Sequence, residues 1–544
     1  MTVLGIGTGL KLGHHDPSAS IIEGARVVAA VEEERLNRQK HAKSEFPLLG
    51  IEFCLRTSGK KFDEVEFAFP LASYPKLDDR ISDLLQHHFG SRPIVHLYDH
   101  HHCHAASSYL LSGYSNALSI SLDNSGDSCS GMISVWDGNK VDVLKRIDRQ
   151  DSLGIFYGML TQFLGFRFNT DEYKVMGLSS FEEPDAGLID HFEKIIRFDG
   201  AGGVEVNQDF DRRNENGRLY TTDFSTRYEP LYSTKWLEFF GPPRFRGEEL
   251  SILHKKIAAS AQHVFENVLV DLVAFWTKKT NQRRLCLSGG CFQNVKAVSE
   301  IRKRSNVSEI FIPPAAGDNG LSMGAALLRT TELGHRPPRL TSASLGPSFS
   351  NNTIENDLSN WGASFERVES SSEFTADALA RGEVVAWFQG GLEFGPRALG
   401  NRSILANPNV PSIKEKINSI IKKRERFRPF APSILERRAR ELFPEIVASP
   451  FMTEIFSASS EARNVLPAAV HIDGTARVQT VSADAPKFFD LISKFFGLTG
   501  IPAVLNTSFN IAGEPIICSP FDAVRSFYSS PLDRLVIGDF VVRK

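Results

Sequence analysis

A cluster of histidines in the first third of the chain is the clearest candidate for metal chemistry. The segment that starts at His100 reads HHHCHAASS, so His100 and His104 stand four residues apart. If a helix begins near Asp99, residues at this spacing share one face, and both imidazoles point toward the same place. Asp123 follows the apolar strand predicted for 117–122 and could complete the group. The alternative is a solvated helix start that carries surface histidines.

The donor types indicate which ion this cluster would hold. Two imidazoles with carboxylate oxygens suit a divalent first-row ion such as Fe(II), Mn(II) or Zn(II), whereas a thiolate-rich set would indicate structural zinc. The chain contains no HExxH sequence, which argues against a metallopeptidase.

Length and composition limit the class of protein. A chain of 544 residues is too long for one ordinary core, so two or three domains are expected. The 62 basic residues are balanced by 65 acidic ones, so no nucleic-acid partner is expected. The six cysteines lack paired spacing, which predicts thiols and a cytoplasmic location. A signal-like start and an apolar run of about 18 residues are both missing, so no membrane partner is expected.

The elements around the histidines form a repeated pattern. Strands are predicted at 3–7, 18–23 and 26–32, with a glycine-rich turn after the first. The same order returns at 117–122, 131–136 and 141–147, with a polar turn after the first strand. A duplicated three-stranded meander resembles the α/β fold of actin, sugar kinases and heat-shock ATPases (ASKHA), in which those turns face nucleotide phosphates. Two unrelated hairpins are the alternative.

Further along, a strand and a glycine pair predict a ligand site. A long amphipathic helix is expected within 248–280, followed by a strand at 284–288 that leads into Gly289 and Gly290, and then by a helix that contains Asn294. Glycines let a backbone approach a ligand closely, and a helix start favours anionic groups. A strand at 309–313 then runs into Asp318 on a strand-to-helix loop, where α/β proteins place ligands.

The last third of the chain is rich in cations suited to anions. A segment rich in Pro, Ser and Gly, 334–352, predicts a domain connection. Beyond it, Arg397, Arg402 and Arg428 lie beside Gly or Pro, where guanidinium groups could clamp phosphate oxygens. The alternative for part of this basic run is a solvated helix.

Nine motifs, in chain order, carry a resemblance to one family. They are HHDPSAS, EEERLNRQKH, DHHHCHAAS, YKVMGL, LSGGCFQN, PPAAGDNGLSMGAA, EFGPRALGNRS, RFRPFAPSIL and LNTSFNIAGEPI. Together they closely resemble the O-carbamoyltransferases of the nodulation protein U and tobramycin carbamoyltransferase family, over nearly the whole chain.

The resemblance implies two α/β domains and two chemical steps. Residues 1–340 would form an actin-like domain resembling the threonylcarbamoyl-transfer subunit of tRNA modification, 341–352 a linker, and 353–544 a YrdC-like domain. The second domain would condense ATP, with Mg²⁺, and carbamoyl phosphate to carbamoyl-adenylate and pyrophosphate. The first would transfer the carbamoyl group to a hydroxyl of a small-molecule natural product such as a sugar, an aminoglycoside antibiotic or a polyketide. A homodimer is compatible with this architecture.

The resemblance also assigns residues by their motifs. Iron, as Fe(II) or another divalent metal, would be held by His100, His104, Asp123 and Asp318. His15 would be the base that accepts the hydroxyl proton, with His14 as a competing candidate. Contacts to the nucleotide and to the anionic substrates fall on Gly289, Gly290, Asn294, Arg397, Lys422, Arg428, Arg477, Asn506 and Ser508.

The acceptor and two rival functions stay open. Residues 182–243 contain no motif of the family, and their composition suggests acceptor-side loops. A small-molecule kinase of the actin-like fold would also show the duplicated meander, but it needs neither the histidines nor the arginines. A non-catalytic nucleotide-dependent binding protein would need only the fold.

Overall fold

The structure is a computed structural model with α/β architecture and mixed sheets. It describes residues 1–7, 15–43, 45–71, 76–212, 220–222, 225–227, 230–421, 425, 428 and 430–544, with backbone alone for 220–222, 225–227 and 420. Contacts divide the chain into unit 1, residues 1–67 with 340–544, and unit 2, residues 68–339. No helix in the described part of the chain is long and apolar enough to span a bilayer.

The N-terminal part of unit 1 is an antiparallel meander followed by two helices. Strand β1 pairs with β2 and β2 with β3, as predicted. The boundary between the units falls within β4. The elements are β1 (Thr2–Gly7), β2 (Ser18–Glu23), β3 (Arg26–Glu32), α1 (Glu33–Asn37), α2 (Leu48–Ser58) and β4 (Glu66–Phe69).

Unit 2 contains the second meander, β6–β8, extended by two parallel strands to the order β14-β13-β6-β7-β8. Its elements, in chain order, are α3 (Leu77–Phe89), β5 (Val95–Leu97), α4 (His100–Leu110), β6 (Asn116–Gly126), β7 (Cys129–Asp137), β8 (Lys140–Asp148), α5 (Leu153–Phe163), α6 (Glu172–Leu178), α7 (Ala186–Glu193), β9 (Ile196–Phe198), β10 (Val204–Val206), β11 (Tyr220–Thr222), β12 (Ser225–Arg227), α8 (Lys235–Phe240), α9 (Ile252–Thr280), β13 (Arg284–Ser288), α10 (Val295–Arg304), β14 (Glu309–Phe311) and α11 (Leu321–Glu332).

Two faces of β6 explain how unit 2 packs. Leu118, Ile120 and Leu122 point into a large apolar core. Small residues occupy the other side, where helices α4 and α11 pack closely: a Cβ on Gly324 would lie 2.0 Å from the carbonyl oxygen of Cys103. This close contact fixes α4, and hence its histidines, against the sheet.

The C-terminal part of unit 1 is an eight-stranded sheet in the order β15-β24-β23-β16-β17-β22-β18-β21, with β19 and β20 paired separately. Its elements are α12 (Asn351–Asn360), β15 (Phe365–Arg367), α13 (Ser371–Ala380), β16 (Val385–Phe388), β17 (Arg402–Ala406), α14 (Ile413–Glu415), a π-helix (Lys416–Ile421), β18 (Ala431–Leu435), α15 (Ala439–Leu442), β19 (Ile455–Ser457), α16 (Ser460–Val465), β20 (Thr475–Arg477), β21 (Gln479–Val481), α17 (Pro486–Thr499), β22 (Ala503–Ser508), α18 (Pro520–Tyr528), β23 (Arg534–Ile537) and β24 (Phe540–Val542).

Strand β16 shows why this sheet is buried on both faces. Val385 and Trp387 belong to one apolar core, and Ala386 and Phe388 to another. Successive side chains of a strand point to opposite faces, so an entirely apolar strand requires cover on both sides.

The division into units differs from the predicted domain boundaries at the N-terminus. Within unit 1, the backbone NH of Ala30 donates to the carbonyl of Leu345 at 3.1 Å, and Arg35 Nη2 donates to that of Gly395 at 3.0 Å. Arg38 Nη1 also donates to the carbonyl of Ile516 at 2.7 Å. These contacts join segments more than 300 residues apart in sequence, which no local pattern reveals. The functional boundaries at 340 and 353 stay a prediction.

Candidate functional site

The four predicted metal ligands come together in unit 2. His100 and His104 lie one turn apart on α4, which begins directly after Asp99 as expected. Asp123 lies in β6, and Asp318 opens the single 3₁₀ turn before α11. One donor atom from each residue of the quartet lies within 4.8 Å of all the others. That these donors hold an ion stays a prediction.

Distances within the quartet fit ligands that share an ion. His104 Nε2 is 3.3 Å from Asp123 Oδ2 and 3.4 Å from Asp318 Oδ1, and His100 Nε2 is 3.6 Å from the same Asp318 oxygen. Two ligands at about 2.1 Å from one ion, at octahedral or tetrahedral angles, are roughly 3.0–3.4 Å apart. Within the described residues, His104 Nε2 and Asp318 Oδ1 are buried and make no hydrogen bond. Buried polar atoms in this state are costly unless a cation satisfies them.

The electrostatics of the quartet also favour a positive charge beside its two carboxylates. Burial by itself would lower the pKa of His104, but the carboxylates of Asp123 and Asp318 outweigh it and raise that pKa to about 9. In return, although burial opposes the shift, His104 and His100 hold the pKa of Asp123 well below its usual range. A proton on His104 or a divalent ion would supply the same charge.

The neighbouring histidine, His101, has a different role. Its Nε2 lies 3.2 Å from the carbonyl oxygen of Cys129, and its Nδ1 lies 3.1 Å from Ser121 Oγ. The carbonyl can only accept, so Nε2 carries the proton and Nδ1 accepts from the hydroxyl. Burial lowers the pKa of His101 to about 4, so the ring is neutral. His101 therefore packs α4 against the sheet and is not one of the four predicted metal ligands.

The predicted glycine pair lies against Asp123, one of the four predicted metal ligands. Gly289 has φ +91°, and a Cβ there would lie 2.1 Å from the carbonyl oxygen of Leu122, so only glycine fits. The backbone NH of Gly290 donates to Asp123 Oδ2 at 3.0 Å. The glycines therefore position the carboxylate of Asp123, and their contact with a nucleotide stays a prediction.

Asn294 is the residue before α10 rather than part of it. Its Oδ1 accepts from the backbone NH of Ala297 at 3.1 Å, which caps the helix. Its amide exchanges two hydrogen bonds with Gln262, at 2.9 and 3.0 Å. The side chain is thus committed to protein partners, and its role toward a nucleotide stays a prediction.

The candidate base lies in unit 1. His15 Nδ1 is 2.7 Å from Asp16 Oδ2, and His41 Nδ1 is 2.9 Å from Asp16 Oδ1. The sequence analysis assigned no role to Asp16 or His41. Asp16 belongs to the motif HHDPSAS, and His41 is the last residue of the motif EEERLNRQKH. The competing candidate, His14, lies outside the described residues.

A loop around Arg397, also in unit 1, is shaped by a buried glutamate. Oε1 of Glu393 accepts from the backbone NH groups of Leu399 and Asn401 at 2.7 and 2.8 Å. Asn506 Nδ2 donates to the carbonyl of Ala398 at 3.2 Å. The loop is therefore held on both sides of Arg397, whose side chain is half-buried. Asn506 acts here on the loop, and its contact with an anion stays a prediction.

The other predicted anion ligands are less tightly grouped. Arg477 ends β20 and is two residues from Gln479, whose Nε2 donates to the carbonyl of Leu399 in the same loop at 2.8 Å. Ser508 lies inside β22 and donates to Asn510 Oδ1 at 2.7 Å. Arg428 Nη1 lies 3.9 Å from Glu425 Oε2. Lys422 lies outside the described residues.

Arg402 is not an anion clamp, and that interpretation of the sequence is wrong. It begins β17, is fully buried, and stacks 3.6 Å from the ring centre of Phe388. Nη1 donates to the carbonyl of Gln389 at 2.7 Å and Nη2 to that of Pro347 at 3.0 Å. Burial lowers its pKa to about 10. Its donors serve backbone carbonyls, so it holds the fold together.

Comparison with protein families covers both ends of the chain. The model described as carbamoyltransferase N-terminus matches residues 7–70 and 72–327, and the one described as carbamoyltransferase C-terminus matches 376–544. The chain belongs to the carbamoyltransferase family. It is 34% identical to nodulation protein NolNO of Sinorhizobium fredii over all of this chain and 83% of that protein. It is 28% identical to nodulation protein U of Bradyrhizobium diazoefficiens over 93% of this chain and 92% of that protein.

Membership confirms the resemblance inferred from the motifs, and the protein is a carbamoyltransferase. Solved structures add no argument about the fold. A crystal structure of full-length HypF in the phosphate- and nucleotide-bound form is 15% identical and covers 61% of this chain and 46% of that chain, with a TM-score of 0.34. The actin-like and YrdC-like assignments therefore stay predictions.

Proposed function

We propose that this carbamoyltransferase uses ATP and carbamoyl phosphate to form carbamoyl-adenylate, and then carbamoylates a hydroxyl of a small-molecule natural product. The supporting observation is the quartet of two buried imidazoles and two partly exposed carboxylates, with three donor–donor distances of 3.3 to 3.6 Å, in a chain of this family.

The quartet suits Fe(II) or a similar divalent ion, because imidazole and carboxylate oxygen are donors that such ions accept. When bound, the ion would polarise the carbamoyl carbonyl and offset charge in the tetrahedral transition state. The chain's own contribution is to fix the donors: Asp123 is oriented by the backbone NH groups of Asn124 and Gly290 at 2.7 and 3.0 Å. His100 is held through its backbone NH, which donates to Asp127 Oδ2 at 2.8 Å.

In the transfer step, a hydroxyl oxygen attacks the carbamoyl carbon and the bond from that carbon to AMP breaks. AMP leaves with the electron pair, and the hydroxyl proton goes to a base. His15 fits this role because an imidazole titrates near neutral pH. Asp16 holds the ring through Nδ1, so Nε2 would be the atom that takes the proton.

The adenylate step joins two anions and therefore needs cations. Arg397, Arg428, Arg477 and Lys422 are the candidates, with Mg²⁺ on the ATP phosphates. Atom balance requires one water, which releases orthophosphate from carbamoyl phosphate, while pyrophosphate leaves ATP.

All six cysteines are buried free thiols, which supports the proposal that the enzyme works in the reducing cytoplasm.

The first test needs no acceptor. Wild-type protein with ATP, Mg²⁺ and carbamoyl phosphate should release pyrophosphate and orthophosphate and form carbamoyl-adenylate, and omission of carbamoyl phosphate should stop all three. Arg477→Gln should lower this release about a hundredfold, because it removes a cation from the transition state. Arg26→Gln, at a side chain that is 72% exposed, is the matched control and should behave as wild type. ADP as the nucleotide product would instead indicate a kinase, and tight nucleotide binding without any turnover would indicate a binding protein.

The second test identifies the acceptor. Carbamoyl-adenylate is supplied with a panel of sugars and polyols, and products are screened by mass for an added carbamoyl group. His15→Ala should abolish the product but keep pyrophosphate release. A folded His15→Ala variant that loses pyrophosphate release would contradict separate sites for the two steps.

A further inference from the structure

The carboxylate of Asp16 lies between two imidazoles in unit 1. Its Oδ2 is 2.7 Å from His15 Nδ1 and its Oδ1 is 2.9 Å from His41 Nδ1. The two rings are 5.9 Å apart, edge to face at 70°. The three side chains are only 22 to 25% exposed, so the group is largely shielded from water.

The same three residues could also ligate a metal. Contacts of 2.7 and 2.9 Å are ordinary hydrogen-bond lengths, so each ring donates its Nδ1–H directly to the carboxylate. Burial would raise the pKa of Asp16, but His15 and His41 hold it well below its usual range, so the carboxylate stays ionised.

Backbone NH groups and left-handed φ angles hold His41 beside Asp16. The NH of Asp16 donates to the carbonyl of His41 at 2.8 Å, and the NH of His41 donates to Glu34 Oε2 at 2.6 Å. Asp16, Arg38, His41 and Ala42 all have left-handed φ angles, of 61°, 64°, 67° and 35°. Side chains disfavour this region, and residues held in it against that preference cluster at functional sites.

We propose that Asp16 and His41 are positioning residues for His15, an inference that rests on the proposed function of His15 as the base. Asp16 accepts a hydrogen bond from Nδ1–H of His15, so that the neutral ring carries its lone pair on Nε2. When Nε2 takes the proton, the imidazolium lies beside an ionised carboxylate. His41 binds the other carboxylate oxygen and stops the carboxylate from rotating away.

The first readout is the tautomer of each ring, which needs no substrate. Protein labelled with ¹⁵N-histidine at pH 8 should show His15 and His41 protonated at Nδ1, with His15→Gln and His41→Asn used for assignment. In Asp16→Asn the Nδ1-protonated signal of His15 should be lost or halved, because the carboxylate acceptor is gone. Wild-type His15 protonated at Nε2, or a tautomer that Asp16→Asn leaves unchanged, overturns the proposal.

The second readout is carbamoyl transfer from supplied carbamoyl-adenylate to glycerol at molar concentration. Asp16→Asn should lower the transfer rate about a hundredfold or more, since a comparable loss of an orienting aspartate is severe in other enzymes. His41→Asn, which keeps a residue suited to left-handed backbone, should lower it about tenfold. His87→Asn at an exposed histidine is the matched control. Transfer at the wild-type rate in folded Asp16→Asn overturns the proposal.

These outcomes separate the two ideas. Wild-type protein that releases no pyrophosphate from ATP and carbamoyl phosphate contradicts the proposed function, and it leaves the tautomer result standing. Both variants should keep the wild-type thermal midpoint and pyrophosphate release. A merely structural role for Asp16 predicts the reverse, which is a lowered midpoint with the transfer rate of the folded fraction unchanged.

Discussion

Adding one methyl group at Gly126 should remove a metal ligand without changing any donor. A Cβ on Gly126 would lie 2.0 Å from Cδ2 of His100 and 2.5 Å from its Nε2. Carbon atoms in contact are about 3.5 Å apart, so the imidazole must retreat by about 1.5 Å. The φ angle of Gly126 is not in the left-handed region, so the backbone itself tolerates alanine.

The displacement is large against what a metal site accepts. Ligand distances are held within about 0.2 Å, so a shift of about 1.5 Å takes His100 out of the coordination sphere. Even loss of a supporting residue weakens metal binding about 10- to 100-fold. We therefore expect Gly126→Ala to bind Fe(II) at least about 100-fold more weakly, which corresponds to about 2.7 kcal/mol.

The assay is anaerobic titration of chelator-stripped protein with Fe(II), followed by elemental analysis after desalting. Gly497→Ala is the matched control, because a Cβ there meets no heavy atom within 4 Å. Gly290→Ala should give an intermediate loss, since its Cβ would lie 3.1 Å from Asp123 Oδ1. Wild-type affinity and metal content in folded Gly126→Ala would refute the assignment of His100 as a ligand.

Three further predictions concern charge. The metal-free His104 pKa of about 9 implies that a proton competes for the site, so Fe(II) affinity should rise about tenfold per pH unit from 7 to 9; a flat profile would contradict this. Because folding raises the pKa of His104 above its ordinary value of 6.5, the charged ring stabilises the folded metal-free protein fully below pH 6.5, and this stabilisation is lost as pH rises through 9. The free energy of unfolding in urea should therefore fall by up to about 3 kcal/mol over this range. Arg402→Met should lower stability by about 3 kcal/mol, since it leaves buried carbonyls without donors, whereas Arg437→Met at an exposed site should have little effect; equal losses would contradict the buried role.

The sequence predicted part of the geometry of the quartet. The four-residue spacing of His100 and His104 fixes a shared helix face, and Asp99 directly precedes α4 as expected. Asp123 lies within β6, which continues to Gly126 beyond the predicted strand end at residue 122. The proximity of Asp318 came from the motif resemblance, because nothing local places a loop near residue 318 beside residue 104. Exclusion of His101 required the structure, since both of its ring nitrogens are engaged by a carbonyl and a hydroxyl on two neighbouring strands.

Pattern failed where a side chain's partners are distant in sequence. Arg402 stands between Asn and Ser after a glycine-rich loop, which suggested exposure, yet it opens a buried strand and its guanidinium contacts the carbonyl of Pro347. Asn506 looked like a residue after a strand and instead lies within β22, where its amide holds the loop at Ala398. Arg402 was assigned to an anion although backbone carbonyls take its donors, whereas the predicted contact of Asn506 with an anion stays a prediction.

The membership of the units bears on how the two chemical steps are divided. Glu32 Oε1 accepts from the NH of Gly395 at 2.8 Å, and Arg35 donates to the carbonyl of the same residue, so the EEER segment holds the loop that carries Arg397. His15 thus shares unit 1 with Arg397, whereas the metal quartet belongs to unit 2. The family resemblance had placed the candidate base and the predicted metal ligands together in residues 1–340, and that boundary stays a prediction. Because the EEER segment and the loop of Arg397 hold each other in unit 1, a change at His15 can affect adenylate formation as well as carbamoyl transfer. Pyrophosphate release by His15→Ala is therefore the measurement that decides whether the two steps are independent.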